Sequence, residues 1–237
     1  MIPWRLEQYQ ELGSTSDELV RRARAGEPAG LAVLAFRQTA GRGSRGRAWT
    51  APEGNLNLSL LLRPARPVAE AGLFSLISGI AVAEALEGLG AKGLSLKWPN
   101  DILCNGAKLA GILIDATPDG ERLEWLGIGI GINLKAAPAI PGRRTMALAA
   151  QGLEISPETA AKAILVRLEN WAEAPAAAIR AAWLEKGHPP GTPMEIAYAG
   201  QRHAGLFAGL TESGELMLRC ENRIEILNTG EVLLANG

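Results

Sequence analysis

The sequence predicts an α+β protein carrying a small all-β unit at its C-terminal end. Short apolar runs bounded by turn residues alternate with stretches of helical spacing as far as residue 186, and the proline-glycine linker GHPPGTP (187–193) is followed by five short strand-like pieces. With 237 residues, 47% hydrophobic and 21% charged, the chain can build one substantial core plus a small second domain, which the linker divides as 1–187 and 188–237.

The elements follow in order. Thr15 with Glu18 fits a capping box and predicts a short helix over SDELVRRARAG, stopped near Gly26. LAVLAFRQ (31–38) reads as a buried strand that delivers Gln38 to a glycine-rich loop. In NLNLSLLLR (55–63), Leu56, Leu58, Leu60 and Leu62 alternate with polar residues, as in a strand with one buried face. Residues 69–89 are apolar at helical spacing with few charges, which suits a helix packed on a sheet. Residues 94–116 read as strand, Pro-bearing turn, strand, Asn105-Gly106 turn and strand. LEWLGIGIGINL (123–134) is a further strand in which Gly127, Gly129 and Gly131 leave one face bare, so that a ligand can lie flat against backbone. Helical sequence dominates from about 143 to 186, interrupted by Pro157 and Pro175. MEIAYA, AGLFAGL, ELMLRC, RIEIL and GEVLLA then predict a small barrel, too small to be stable alone and therefore docked.

The net charge of −1 provides no global basic field for nucleic acid or an anionic membrane, so steering must be local. No cationic, apolar, small-residue leader opens the chain, and no uncharged apolar run reaches about 18 residues, so the expected compartment is the cytosol, away from membranes. Cys104, Cys220, His188 and His203 are isolated from one another in sequence, which predicts reduced thiols and no structural zinc.

Three stretches carry chemistry. QTAGRGSRGRAW (38–49) concentrates arginine among glycines: guanidinium forks bind planar anions, and glycine lets backbone N–H groups approach the oxygens, although an Arg-rich loop is also a common solvated turn. It lacks the Gly-Lys-Ser/Thr ending of a P-loop, and its glycines precede arginines rather than a helix. KWPND (97–101) sets Lys97 at the end of a strand and presents Asn100 and Asp101 at a proline turn, as an ATP-magnesium contact or simply as turn residues. Lys108 opens an apolar strand, where a lysine snorkels to solvent unless an anion meets it.

GSTS (13–16), QTAGRGSRGRAW (38–49), NLNLS (55–59), KWPND (97–101), GAKLAGIL (106–113) and IGIGIN (128–133) occur in the order and approximate spacing of the biotin protein ligases, also called biotin–[acetyl-CoA-carboxylase] ligases. The chain resembles that family along nearly its whole length. The resemblance implies a class II aminoacyl-tRNA-synthetase-like catalytic domain, a mixed sheet flanked by helices, with a small SH3-like β-barrel after it. It also implies a two-step reaction: biotin and MgATP form biotinyl-5′-AMP, and a lysine of a biotin carboxyl carrier domain then takes the biotin. Lys108 and Arg42 would be the catalytic cations, with the backbone of 41–46. Ser14, Thr15 and Gln38 would meet the ureido ring; Gly41, Arg42, Gly43, Ser44 and Lys108 the carboxylate end; Trp49 the chain; Gly111 and Gly129 the floor. Arg42, Arg45, Arg47, Lys97, Asn100, Asp101 and Asn133 would serve the nucleotide, with Asp101 on its Mg²⁺.

Ser44 stands where the family pattern commonly has arginine, which predicts weaker retention of the adenylate, and Ser16 stands where it often has asparagine. About a dozen residues precede Ser14, so a ligase without direct DNA binding is expected, and a homodimer is left open. The rivals are a lipoate or octanoyl transferase, which shares the fold, and a non-catalytic biotin-binding relative.

Overall fold

A computed structural model of the chain describes residues 2–198, 200–221 and 223–233. Seven strands, β1 (Arg5–Leu12), β2 (Leu31–Gln38), β3 (Leu56–Leu62), β4 (Leu94–Lys97), β5 (Asp101–Cys104), β6 (Ala107–Asp119) and β7 (Arg122–Ile132), form one sheet in the order β1-β2-β3-β7-β6-β5-β4. Only β1 and β2 run parallel, so the sheet is mixed. Alternation along the central strands decides what covers each face. Leu56, Leu58, Leu60 and Leu62 of β3 join Leu126, Ile128, Ile130 and Ile132 of β7 in the main core. Three helices cover that face: α2 (Leu73–Gly88), α3 (Pro157–Ala172) and α4 (Ala176–Lys186).

The segment Val68–Gly88 is long and apolar enough to cross a membrane, but twelve of the sixteen residues of α2 are buried between the sheet and its neighbouring helices. It is the central core helix. The opposite face of the sheet takes α1 (Thr15–Arg24), whose Leu19 and Ala23 pack with Leu31, Val33, Leu61 and Trp125.

Two sequence expectations are corrected, and one strand carries no signal in the sequence. The sequence signals no element before residue 15, yet β1 is there: it is an edge strand, RLEQYQEL, whose charged and amide side chains blunt the pattern that marks interior strands. The N-cap of α1 is Ser14, whose Oγ accepts from Asp17 N at 3.3 Å, so Thr15 is the first helical residue rather than the cap. Residues 143–156 form no α-helix, only one 3₁₀ turn at Leu148–Gln151. Lys108 N donates to Arg144 O at 2.8 Å and Met146 N to Lys108 O at 2.9 Å, which ties this segment to β6 instead. Helix begins at Pro157, with Ser156 as cap, so this proline starts a helix and does not interrupt one.

All five C-terminal pieces form strands: β8 (Pro193–Tyr198), β9 (Gln201–Leu210), β10 (Leu216–Cys220), β11 (Arg223–Leu227) and β12 (Glu231–Leu233), antiparallel in the order β11-β10-β9-β8-β12. Phe207, Leu216 and Leu218 belong to the same core cluster as α2 and α4, so this SH3-like sheet is docked through apolar contact. Trp98 Nε1 donates to Gly214 O at 3.1 Å across the junction. A Cβ at Gly230 would fall 2.6 Å from Ile196 and 3.2 Å from Trp98, so only glycine permits this fit.

His188, in the linker, packs between Trp183 and Phe207 at ring-centroid distances of 6.3 and 6.2 Å, and its Nε2 is buried with no partner among the described residues. Burial, reinforced by Lys97, pulls its pKa from the ordinary 6.5 down to about 4. The unfolded chain therefore binds the proton first, and the stability present above pH 6.5 is lost as the pH falls towards 4. Between pH 7 and pH 5 the wild type should lose about 2 kcal/mol more than His188→Leu, as read from urea unfolding curves.

Candidate active site

The second face of β7 is built of glycine, and cross-strand register widens the bare strip. Gly131 lies opposite Asn57 on β3 and Gly111 on β6, while Gly129 lies opposite Ser59 and Leu113. Side chains from outside fill this trough. A Cβ at Gly127 would sit 2.8 Å from Leu19 Cδ2 and one at Gly129 2.8 Å from Ser16 Oγ, so this end admits α1. At the other end the Trp49 indole lies against the backbone, 2.3–2.5 Å from where a Gly131 Cβ would be. Its Nε1 is buried without a partner among the described residues.

Polar groups line one wall of the trough. Gln38, at the end of β2, accepts from Thr15 N at 2.7 Å and from Thr15 Oγ1 at 3.1 Å through Oε1, and its Nε2 donates to Asn57 Oδ1 at 3.1 Å. Ser59 Oγ donates to Thr15 Oγ1 at 2.8 Å and lies 3.2 Å from Ser16 Oγ. Hydroxyls and carboxamides are thus held side by side at the start of a helix, where donors and acceptors are both available.

The loop crosses over the trough as a small hairpin. Arg42 bridges Ala48, Gly43 N donates to Arg47 O at 2.7 Å, and Trp49 N donates to Gly41 O at 2.9 Å. Arg45 and Gly46 turn it with φ of 60° and 70°, the positive-φ pair that tight hairpin turns require. A Cβ at Gly41 would strike Trp49 O at 2.4 Å, so this position accepts no side chain.

Arg42, Arg45, Arg47, Lys108 and Arg143 each meet an acid. Arg42 donates to Asp17 at 2.9 Å and to Asp115 at 3.2 and 3.3 Å. Burial opposes its charge, but Asp115 and Asp17 outweigh it and hold the guanidinium above its ordinary pKa. Lys108 Nζ pairs with Asp101 and lies 5.9 Å from the Trp49 ring. Arg45 and Arg47 both reach Glu231 of β12, at 3.2 Å each, and Arg143 pairs with the same carboxylate. Lys97, half-buried and with no ion pair among the described residues, is pushed below its ordinary pKa by burial.

Three cavities meet at this loop, and Ser44 lines all of them. The trough itself, lined by Thr15, Gln38, Arg42, Trp49, Lys108 and Gly129 among others, retains only about 50 Å³, because Trp49 occupies it. Small-molecule pockets are typically roughly 300 Å³ or more, so a ligand seated here requires Trp49 to move. A second cavity of about 340 Å³ holds Lys108, Arg143 and Asn133, whose Oδ1 is buried with no partner among the described residues. The third, about 460 Å³, lies between the two sheets and is lined by Arg45, Arg47, Lys97, Asn100, Asp101 and Glu231 among others.

Thr15, Gln38, Arg42, Gly43, Ser44, Trp49, Lys108, Gly111 and Gly129 therefore share the trough. Ser14 does not line it, since its hydroxyl caps α1. Gly41 shapes the loop behind Trp49. Asn100 brackets β6, donating through Nδ2 to Ile112 O at 2.7 Å, and Asp101 is engaged by Lys108. No cluster of three or more metal-ligating residues occurs among the described residues. The sequence named Gly131 only as part of the bare face of its strand and Ser16 only as a departure from the family pattern, and it gave Asn57 no role, although all three line the trough; it missed Asp17, Asp115, Arg143 and Glu231, whose roles appear only in three dimensions.

The Biotin/lipoate A/B protein ligase family matches residues 13–133, the span that contains the trough, the loop and the Lys108 strand. The chain belongs to this family. Among its relatives, a biotin–[acetyl-CoA-carboxylase] ligase of Paracoccus denitrificans is 36% identical over 217 residues, covering 84% of this chain and 88% of the relative. The bifunctional ligase/repressor BirA of Escherichia coli is 33% identical over 86% of this chain and 66% of its own length. The biotin protein ligase of Aquifex aeolicus in complex with biotin and ATP has the same fold, with a TM-score of 0.78 at 28% identity over 98% of this chain and 99% of that one. A Leishmania major biotin protein ligase solved with biotinyl-5-AMP gives a TM-score of 0.64 at 28% identity, covering 98% of this chain and all of that one.

Asn57 is the keystone of the polar wall, since its Nδ2 also donates to Ala35 O at 3.3 Å in the buried sheet. Asn57→Ala strands Gln38 and that carbonyl, so denaturant unfolding should report a loss of about 2 kcal/mol.

Proposed function

We propose that this member of the family is an ATP-dependent biotin protein ligase, forming biotinyl-5′-AMP and transferring biotin to a lysine of a carrier domain. One observation carries the reading: Arg42 and Lys108 line the same glycine trough, and Lys108 also lines the adjoining cavity that contains Asn133, whose Oδ1 has no partner among the described residues. Biotin's fused rings fit the trough once Trp49 moves, with Thr15, Ser16, Gln38 and Asn57 meeting the ureido group. Asn133 offers its buried acceptor to the exocyclic amine of the nucleobase. Lys108 stands between the two spaces, where the carboxylate of one substrate meets the α-phosphate of the other.

In the first step a carboxylate oxygen of biotin attacks the α-phosphorus, the bond to the leaving oxygen breaks, and pyrophosphate departs. Two anions must be pressed together, and the charge on the phosphoryl oxygens grows as they meet, so a fixed ammonium and guanidinium in a water-poor space lower the barrier. Lys108 acts by its charge, not as a nucleophile. Mg²⁺ enters with ATP as part of that substrate, and Asp101, once Lys108 turns from it to the reacting anions, is the carboxylate assigned to meet it. In the second step the acceptor amine attacks the acyl carbon, the bond to AMP breaks, and the amine gives up its proton. The hairpin 41–49 shields the mixed anhydride from water between the steps, at an ordering cost of roughly 1–2 kcal/mol for each residue fixed.

The family also contains lipoate ligases, so ATP–pyrophosphate exchange is the deciding assay: biotin should drive it and lipoate should not. Lys108→Ala should reduce biotin-driven exchange by about 10²- to 10³-fold, with the melting temperature lowered by only a few degrees. Ser44→Arg adds a charged contact to the adenylate, and its release should slow about tenfold relative to wild type; equal release rates would refute the part given to Ser44.

A further inference from the structure

Arg45 and Arg47 of the loop and Arg143 of the segment beside β6 reach one carboxylate, Glu231, which belongs to the C-terminal sheet. Among the described residues these three arginines form no other ion pair. The positive charge there is in excess: burial and the neighbouring arginines depress the pKa of Arg45 and of Arg143, and Lys97 lines the same cleft. That cleft opens towards the reaction centre, because Ser44 and Asn100 line both it and the trough.

The contact is not needed to dock the C-terminal sheet, which the Trp98–Gly214 hydrogen bond and the apolar junction already hold. The two half-reactions, however, make opposite demands on the arginines. Adenylation needs them free for the polyphosphate. Transfer brings a lysine that is an ammonium ion at neutral pH, and once pyrophosphate has left, bare arginines would repel it.

We propose that Glu231 is the exchangeable counter-ion of these arginines, yielding them to the polyphosphate in the first step and reclaiming them afterwards so that the acceptor lysine enters a neutralised cleft. Glu231 is then a positioning residue, acting through Arg45, Arg47 and Arg143 rather than on the reacting atoms. The inference rests on the ligase reading above, which wild-type exchange tests separately. Glu231 variants are scored only against wild type, so the two ideas fail independently.

The test compares Glu231→Gln and Glu231→Asp, each first shown to be folded by thermal melting, with Glu231→Ser replacing the glutamine variant if that does not fold. In biotin-driven exchange, Glu231→Gln should lower KM for ATP severalfold. From preformed biotinyl-5′-AMP at neutral pH, its transfer to an apo-carrier domain should slow about tenfold or more, with the deficit shrinking as the pH rises and the lysine loses its charge. Transfer to hydroxylamine, an uncharged amine at that pH, should match wild type, and Glu231→Asp should restore most of the carrier transfer. A raised KM for ATP, an equal slowing towards hydroxylamine and carrier, wild-type carrier transfer by Glu231→Gln, or an Asp variant as slow as the Gln variant would each overturn the proposal.

Discussion

A cluster of positive charge held in a small space is the constraint on which the rest of this structure depends. Arg42, Arg45 and Arg47 of the loop and Lys108 and Arg143 beside it each touch an acid of the same chain, Asp17 and Asp115, Asp101, or Glu231, the last shared by three arginines. Like charges this close destabilise a fold unless they are paired, and these pairs come from four separate parts of the chain. Under the proposed function these acids stand in for the anionic substrates. Binding is then an exchange of partners, with less net desolvation than if bare cations had been held in waiting.

The second constraint is steric and comes from β7. Its isoleucines are fully used by the core, while its glycines leave room on the other face for α1 and for Trp49. The Trp49 ring rests on the bare backbone at Gly131, and under the proposed function this makes Trp49 both a wall of the site and an obstacle to filling it. The hairpin that carries Trp49 also carries the arginines. Motion of the ring and motion of the charge are therefore coupled through a few residues of backbone.

Much of this was legible in the sequence because the features responsible are local. Period-two leucines in β3, alternating glycines in β7, the Asn105-Gly106 turn and all five C-terminal strands follow from patterns a few residues long. The failures share a cause. β1 is stabilised by pairing with β2 rather than by its own composition, and 143–156 has helical composition but spends its backbone hydrogen bonds on Lys108 and on Asn133 and Leu134. In the site, residues inside distinctive stretches were found, whereas Asp17, Asp115 and Glu231 are ordinary acids in sequence and acquire meaning only from the arginine each one meets. Trp49 was expected to cover the ligand, and the structure adds that it lies in the trough itself.

If the loop is a charged cover that closes when both anions are in place, its arginines should be hidden only then. The most direct measurement is the rate of tryptic cleavage after Arg45 and Arg47 in the folded protein, alone, with biotin, with MgATP, and with both. The account predicts that the two together suppress cleavage far more than either one does. Cleavage at the same rate in all four conditions would contradict it.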